Sequence, residues 1–142
     1  MKRWPQIILL FWIMAALAGP VLALQPNTID LGRILAPPDL HAWLGNDDLG
    51  RDVLARLLEG AQIALSVALI VTSITLSFGT VVGLVAGYFG GWVDRLLMHI
   101  TDVFLAFPGI LLAIAFAAVL GPGLNNLLIA LCITSWVGYA RL

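Results

Sequence analysis

From Ile63 to Tyr88 the chain runs for 26 residues without an Asp, Glu, Lys or Arg. A helix needs about 20 mostly apolar residues to cross the hydrocarbon layer, so this run is long enough to span with tilt. A segment in lipid must satisfy its own backbone N–H and C=O groups, and an uninterrupted apolar run does so as a helix. The rest of the chain agrees: 61% of its residues are hydrophobic and 11% charged, where soluble domains carry roughly 45–50% and about 25%. Its formal charge of −1 supplies no basic surface and excludes a nucleic-acid partner. Cys132 is the one cysteine, lies in an apolar block and cannot close an internal disulfide; its plainest reading is a small core residue.

Three further apolar blocks accompany the first. Ile7–Leu24 follows Met1, Lys2 and Arg3 and reads either as a retained helix or as a signal peptide ending in Val-Leu-Ala at Ala23. The later blocks make retention the more natural reading, with Gly19 and Pro20 expected to bend or end the helix. The third block, 96–120, contains His99, Asp102 and Pro108, and the fourth, 124–140, follows the turn Gly121-Pro122-Gly123. The fold class expected is all-α, a polytopic transmembrane bundle of four spanning helices plus one amphipathic interfacial helix. It divides into residues 1–24 (a cytoplasmic N-terminus and helix 1), 25–62 (an external loop) and 63–142 (helices 63–88, 96–120 and 124–140). With the N-terminus inside, Lys2, Arg3, Arg95 and Arg141 are cytoplasmic, while Arg33, Arg51, Arg56 and most of the acids fall outside.

Residues 46–60, NDDLGRDVLARLLEG, stand directly before the uncharged run. Val53, Leu54, Leu57, Leu58 and Ala61 recur at helical spacing, with Arg51, Asp52, Arg56, Glu59 and Gln62 opposite. This pattern predicts an amphipathic helix lying in the membrane interface and turning the chain into the bilayer. A solvated face is the plain interpretation; substrate handling or partner docking is the sharper one.

Two stripes mark the spanning blocks. Gly79, Gly83, Gly87 and Gly91 follow one another every four residues, and small residues on one helix face let two backbones approach closely in lipid. Arg95, His99 and Asp102 stand at i, i+4 and i+7, where ionisable groups face protein or water. They read as a proton or cation site, or as a clamp pairing Asp102 with Arg95; one His and one Asp are too few for a metal, which favours the clamp. Pro108 removes a helical hydrogen bond and is a candidate hinge, or the shaper of a static bend. Trp136, Tyr139 and Arg141 suit an interfacial belt. No Walker loop, HExxH, CxxC or nucleophile elbow is present, so no catalytic residue, cofactor or metal is expected and the chain is not an enzyme.

Taken in order, HAWLGNDDLGRDVLARLLEGAQIALSVAL, GYFGGWVDRLLMHITDVFLAFPGILLAI and LGPGLNNLLIALCITSWVGYARL resemble the C-type permease subunits of bacterial ABC importers for dipeptides, oligopeptides and nickel. The resemblance covers roughly residues 36–142, and LGxDxLGRD followed by GYxGGxxD and an FP helix is a specific combination. It implies a multi-pass protein of the bacterial inner membrane that forms part of a peptide translocation path. Implied partners are a second, B-type permease, cytoplasmic ATPase subunits, an external solute-binding protein and membrane lipid. The resemblance makes residues 63–142 a partial permease domain. Such permeases have about six spans, with the ATPase-coupling loop after the fourth, so the chain is expected to be truncated there and inactive alone. A nickel or metal-chelate permease, or a small structural or channel-forming membrane protein, are the alternatives.

Overall fold

The computed structural model describes residues 3–21 and 24–142. Met1, Lys2 and Ala23, on which part of the orientation and cleavage readings rested, lie outside them. The described residues form five α-helices and no strand; an isolated antiparallel bridge joins Asn46 to Asp52. The chain divides into two compact units, Met1–Ser66 and Val67–Leu142.

In the first unit, α1 (Trp4–Val21) is apolar along its length, and Gly19 near its end lies against Leu58. A loop with one 3-10 turn (Leu31–Arg33) then leads to α2 (Val53–Phe89). Asp52 starts α2 by accepting the N–H groups of Leu54 at 2.8 Å and Ala55 at 3.4 Å, the work of an N-cap carboxylate.

The amphipathic stretch is not a separate interfacial helix, as its periodicity had suggested. It is the beginning of α2, which continues unbroken for 37 residues. Between Val53 and Ile63 the one poor helix former is Gly60, whose cost of about 1 kcal/mol is too small to end a helix. At 1.5 Å per residue α2 is about 55 Å long against a hydrocarbon core of about 30 Å, so its polar first turns extend the span beyond the membrane.

Gly90 and Gly91, at φ +56° and +57°, occupy a backbone region that side chains disfavour and so let the chain leave α2 for α3 (Gly91–Leu105). The third apolar block does not form one helix. It breaks into α3 and α4 (Gly109–Leu120), bent by 83° from each other. Pro108 has no N–H for the carbonyl of Phe104 and disfavours helical geometry at Phe107, whose own N–H makes only a 3.4 Å bond to that carbonyl. The chain then turns at Gly121 and Gly123 into α5 (Leu124–Ala140), and Asn126 Nδ2 donates to the carbonyls of Leu120 at 2.8 Å and Gly121 at 3.2 Å. These bonds satisfy carbonyls left free at the end of α4.

Helix α5 packs on α4 and α3. Small residues fill the core of this second unit: Thr75, Ala86, Thr101, Ala113, Ala130, Val137 and Ala140 are buried. Among the described residues α2 is the one helix long and apolar enough to cross a membrane by itself, and the bent α3–α4 pair is a second if it counts as one span. Helices α1 and α5 are apolar but shorter. Of the four spans expected, one or two among the described residues meet the length of a span.

Candidate functional site

Polar chemistry gathers in two places, one in each unit. In the first, the loop before α2 closes around Asp47. Its Oδ1 accepts the N–H groups of Leu49 and Arg51, both at 2.9 Å, while its Oδ2 accepts Arg51 Nε at 2.8 Å and pairs with the Arg56 guanidinium. Partial burial raises the pKa of this carboxyl, but the two N–H groups and the two guanidiniums outweigh it and hold the group down to about 2. Gly50 completes the loop at φ +72°, so close to the chain that a Cβ would lie 1.8 Å from the Asp30 carbonyl oxygen. Asn46 ties the same turn through Nδ2 to the Gly50 carbonyl at 2.8 Å. The sequence LGNDDLGRD thus builds a closed knot, with Asp47 as its hub and Asp52 as the cap of α2. The spacing of Asp, Gly and Arg in LGxDxLGRD was the available signal for it, although that spacing alone does not show which carboxylate is the hub.

In the second unit, α2, α3 and α5 enclose an apolar cleft of about 320 Å³ lined by Ile74, Thr75, Phe78, Phe104, Cys132, Ile133 and Trp136. Trp136 stands edge-on to Phe78, with centroids 5.2 Å apart, and to Phe104 at 5.7 Å. It therefore belongs to the packing between helices rather than to an interfacial belt, a placement that tertiary contacts alone determine. Thr75 in the lining is buried, its hydroxyl donating to the Val71 carbonyl at 2.7 Å.

The glycine stripe divides in two. A Cβ on Gly79 would meet the Trp136 carbonyl oxygen at 2.4 Å, and one on Gly83 the Ala140 carbonyl oxygen at 2.8 Å, so here α2 and α5 touch backbone to backbone. Gly87 and Gly91 have open space where a Cβ would go.

The polar stripe on α3 divides too. Asp102 pairs with Arg141 at the end of α5, not with Arg95. Positions i and i+7 share a face but stand two turns, about 10.5 Å, apart, beyond the reach of an ion pair that i and i+4 positions make readily. Arg95 instead donates through Nε to the Gly91 carbonyl at 3.3 Å, and His99 is exposed. Arg141 Nε also donates to the buried Thr101 hydroxyl at 3.0 Å, and that hydroxyl donates to Met98 O at 2.8 Å. Among the described residues no three His, Cys, Asp or Glu side chains gather closely enough to hold a metal. Pro108 stands at the joint between α3 and α4, on the exposed side of the unit.

Residues 79–142 match the family model described as binding-protein-dependent transport system inner membrane component. Among curated proteins, the chain is 43% identical over 138 residues to the dipeptide transport system permease protein DppC of Alkalihalophilus pseudofirmus, covering 96% of this chain and 45% of that one. It is 45% identical over 116 residues to the glutathione transport system permease protein GsiD of Pectobacterium atrosepticum and 50% identical to that of Escherichia coli, each covering 82% of this chain and 38% of the relative. The chain thus spans under half the length of the curated relatives it matches.

Proposed function

We propose, from the match of residues 79–142 to the inner membrane component of binding-protein-dependent transport systems, that this chain is a permease subunit of an ABC importer for short peptides. The observation that carries this is identity of 43–50% to dipeptide and glutathione permeases over 82–96% of the chain. Both cargoes named for those relatives are short peptides, which favours peptide over nickel. The chain contributes one wall of the translocation path, the C-type half, beside a second, B-type permease. Cytoplasmic ATPase subunits supply the energy and an external solute-binding protein delivers the cargo.

In this reading α1, α2, the broken α3–α4 pair and α5 are four passes, with the N-terminus cytoplasmic and the Asp47 knot outside. The family description and the apolar length of α2 support the membrane location. The glycine contact of α2 with α5 and the Arg141–Asp102 clamp hold the subunit together, and the Pro108 joint is the place where α3 and α4 change angle during alternating access.

Deleting the gene and measuring uptake of labelled dipeptides, glutathione and nickel tests the function. Loss of peptide uptake with unchanged nickel uptake is expected; loss of nickel uptake alone would overturn the assignment of cargo. Cysteine labelling from outside intact cells tests the topology: a label at exposed Asp48 reacting only after the membrane is broken would reverse the orientation.

A further inference from the structure

We propose that the Leu40–Trp43 turn of the external loop is seated in the lipid headgroup layer, as a membrane anchor for the knot in front of α2. The inference rests on α1 and α2 entering the bilayer, as set out above.

The turn is built to present apolar side chains outward. Asp39 Oδ1 accepts the N–H groups of His41 at 2.8 Å and Ala42 at 2.7 Å, and Asp39 N–H closes the turn on the Ala42 carbonyl at 3.0 Å. Arg33 pairs with the other oxygen of Asp39 and fixes the turn to the loop. Ala42 is buried, and its neighbours are forced out: Leu40 is 93% exposed and Trp43 72%. A leucine and a tryptophan held in the open by such bracing are an unusual use of a rigid loop in water.

Contacts within this unit give the height of the turn. Gly19 of α1 lies beside Leu58 of α2, and Asn27, just past α1, donates to Glu59 at 3.3 Å. Both helices therefore leave the apolar layer at one level, that of Leu58 and Glu59, after which α2 carries no charge up to its end. Leu40 and Trp43 share a cavity with Leu24, which follows α1, and Leu54, in the first turn of α2. Leu54 stands five residues before Glu59, about 7.5 Å along the helix. The headgroup layer is about 5–8 Å deep on each side, the difference between a core of about 30 Å and a bilayer of about 40–45 Å. The turn falls within that layer, where tryptophan is enriched.

Spin labels test this by their collision with oxygen, which concentrates in lipid, and with a water-soluble nickel chelate. In a Cys132→Ser background, single cysteines replace Leu40, Trp43, Asp48 and Ile70 of the full chain in vesicles of phosphatidylethanolamine and phosphatidylglycerol. The expected ratio of oxygen to chelate accessibility at Leu40 and Trp43 is several-fold above that at the solvent-facing Asp48 and below that at Ile70, midway along α2. Equal ratios at Leu40, Trp43 and Asp48, with Ile70 in lipid, overturn the anchor and leave the spanning reading intact. Chelate access at Ile70 overturns the spanning reading itself. Protection of Leu40 from the chelate only after a solute-binding protein is added assigns the turn to that protein and also refutes the anchor. Leu40 and Trp43 are exposed, and the two positions serve as independent reporters should one substitution disturb the loop.

Discussion

Replacing Gly79 by alanine adds one methyl group where the backbones of α2 and α5 meet. Its carbon would sit 2.4 Å from the Trp136 carbonyl oxygen and 2.7 Å from Tyr139 Cβ. Relief to an ordinary contact of 3.4 Å requires α5 to retreat by about 1 Å, and the obstacle is helix backbone, which cannot swing aside as a side chain does. Overpacking of this kind costs about 1–3 kcal/mol. Against it stands the gain of about 0.8–1 kcal/mol from alanine's better helix propensity. The net loss expected is about 0–2 kcal/mol against the parent chain, up to about 30-fold in the ratio of folded to unfolded chain, and about 1–3 kcal/mol against a variant that has the propensity gain alone. Gly87→Ala is the matched control on the same stripe: no atom lies within 4 Å of the added carbon, so it keeps the propensity gain alone. Reversible unfolding of the full chain in mild detergent, followed by helical circular dichroism, compares the two. A Gly79→Ala protein as stable as Gly87→Ala would refute the backbone contact between α2 and α5. Gly83→Ala, with its nearest obstacle at 2.8 Å, belongs between them.

Gly50→Ala should disrupt the external knot, since the position combines φ +72° with a Cβ 1.8 Å from the Asp30 carbonyl; faster proteolysis between Asp30 and Asp52 measures it. The Asp47 carboxyl, held at about 2 against an ordinary 3.8, stabilises the knot fully above pH 3.8, and this contribution fades as pH falls through about 2. Protease resistance of the loop should therefore persist to about pH 4 and decline progressively towards about pH 2, whereas in Asp47→Asn it should be weak at every pH. Arg141→Gln, which breaks a pair whose side chains are 39% and 56% exposed, should cost no more than about 1 kcal/mol in detergent unfolding. Pro108→Ala restores a helical donor and should narrow the distribution of α3–α4 distances read from paired spin labels, moving it toward a straighter helix.

What the sequence made legible was local. Pro108 marked a bend, Gly121 and Gly123 marked the turn before the last helix, and the absence of charge from Ile63 to Tyr88 marked the long helix. Each is a property of one residue or one run. Where two distant elements decide the outcome, periodicity fell short. It placed Arg95 and Asp102 on one face but could not measure the rise between them, and nothing in it linked Asp102 to Arg141, 39 residues away. It separated an amphipathic stretch from an apolar one because their patterns differ, although the backbone sees only helix propensity and runs through both. Likewise it treated the four stripe glycines as equivalent, when contact with α5 involves Gly79 and Gly83 alone. The hydrogen bonds of Asp47 arise from a turn at Gly50, whose φ of +72° and lack of room for a Cβ only the folded loop reveals.

The same contacts bear on whether Pro108 hinges or merely bends. Helix α5 lies along both arms of the joint, and its grip on α4 is more extensive than its grip on α3. Helix α4 is apolar throughout and is held to α5 by van der Waals packing along its length, the interaction that joins helices in lipid. The α3 side is held instead by an aromatic edge, Phe104 against Trp136, and by Arg141 reaching Thr101 and Asp102. Polar and edge-on contacts of that kind re-form at little cost after a small displacement, whereas close apolar packing does not. Any flexing at Pro108 must then move α3 while α4 stays with α5, and Arg141 is the side chain positioned to hold α3 in place or let it go.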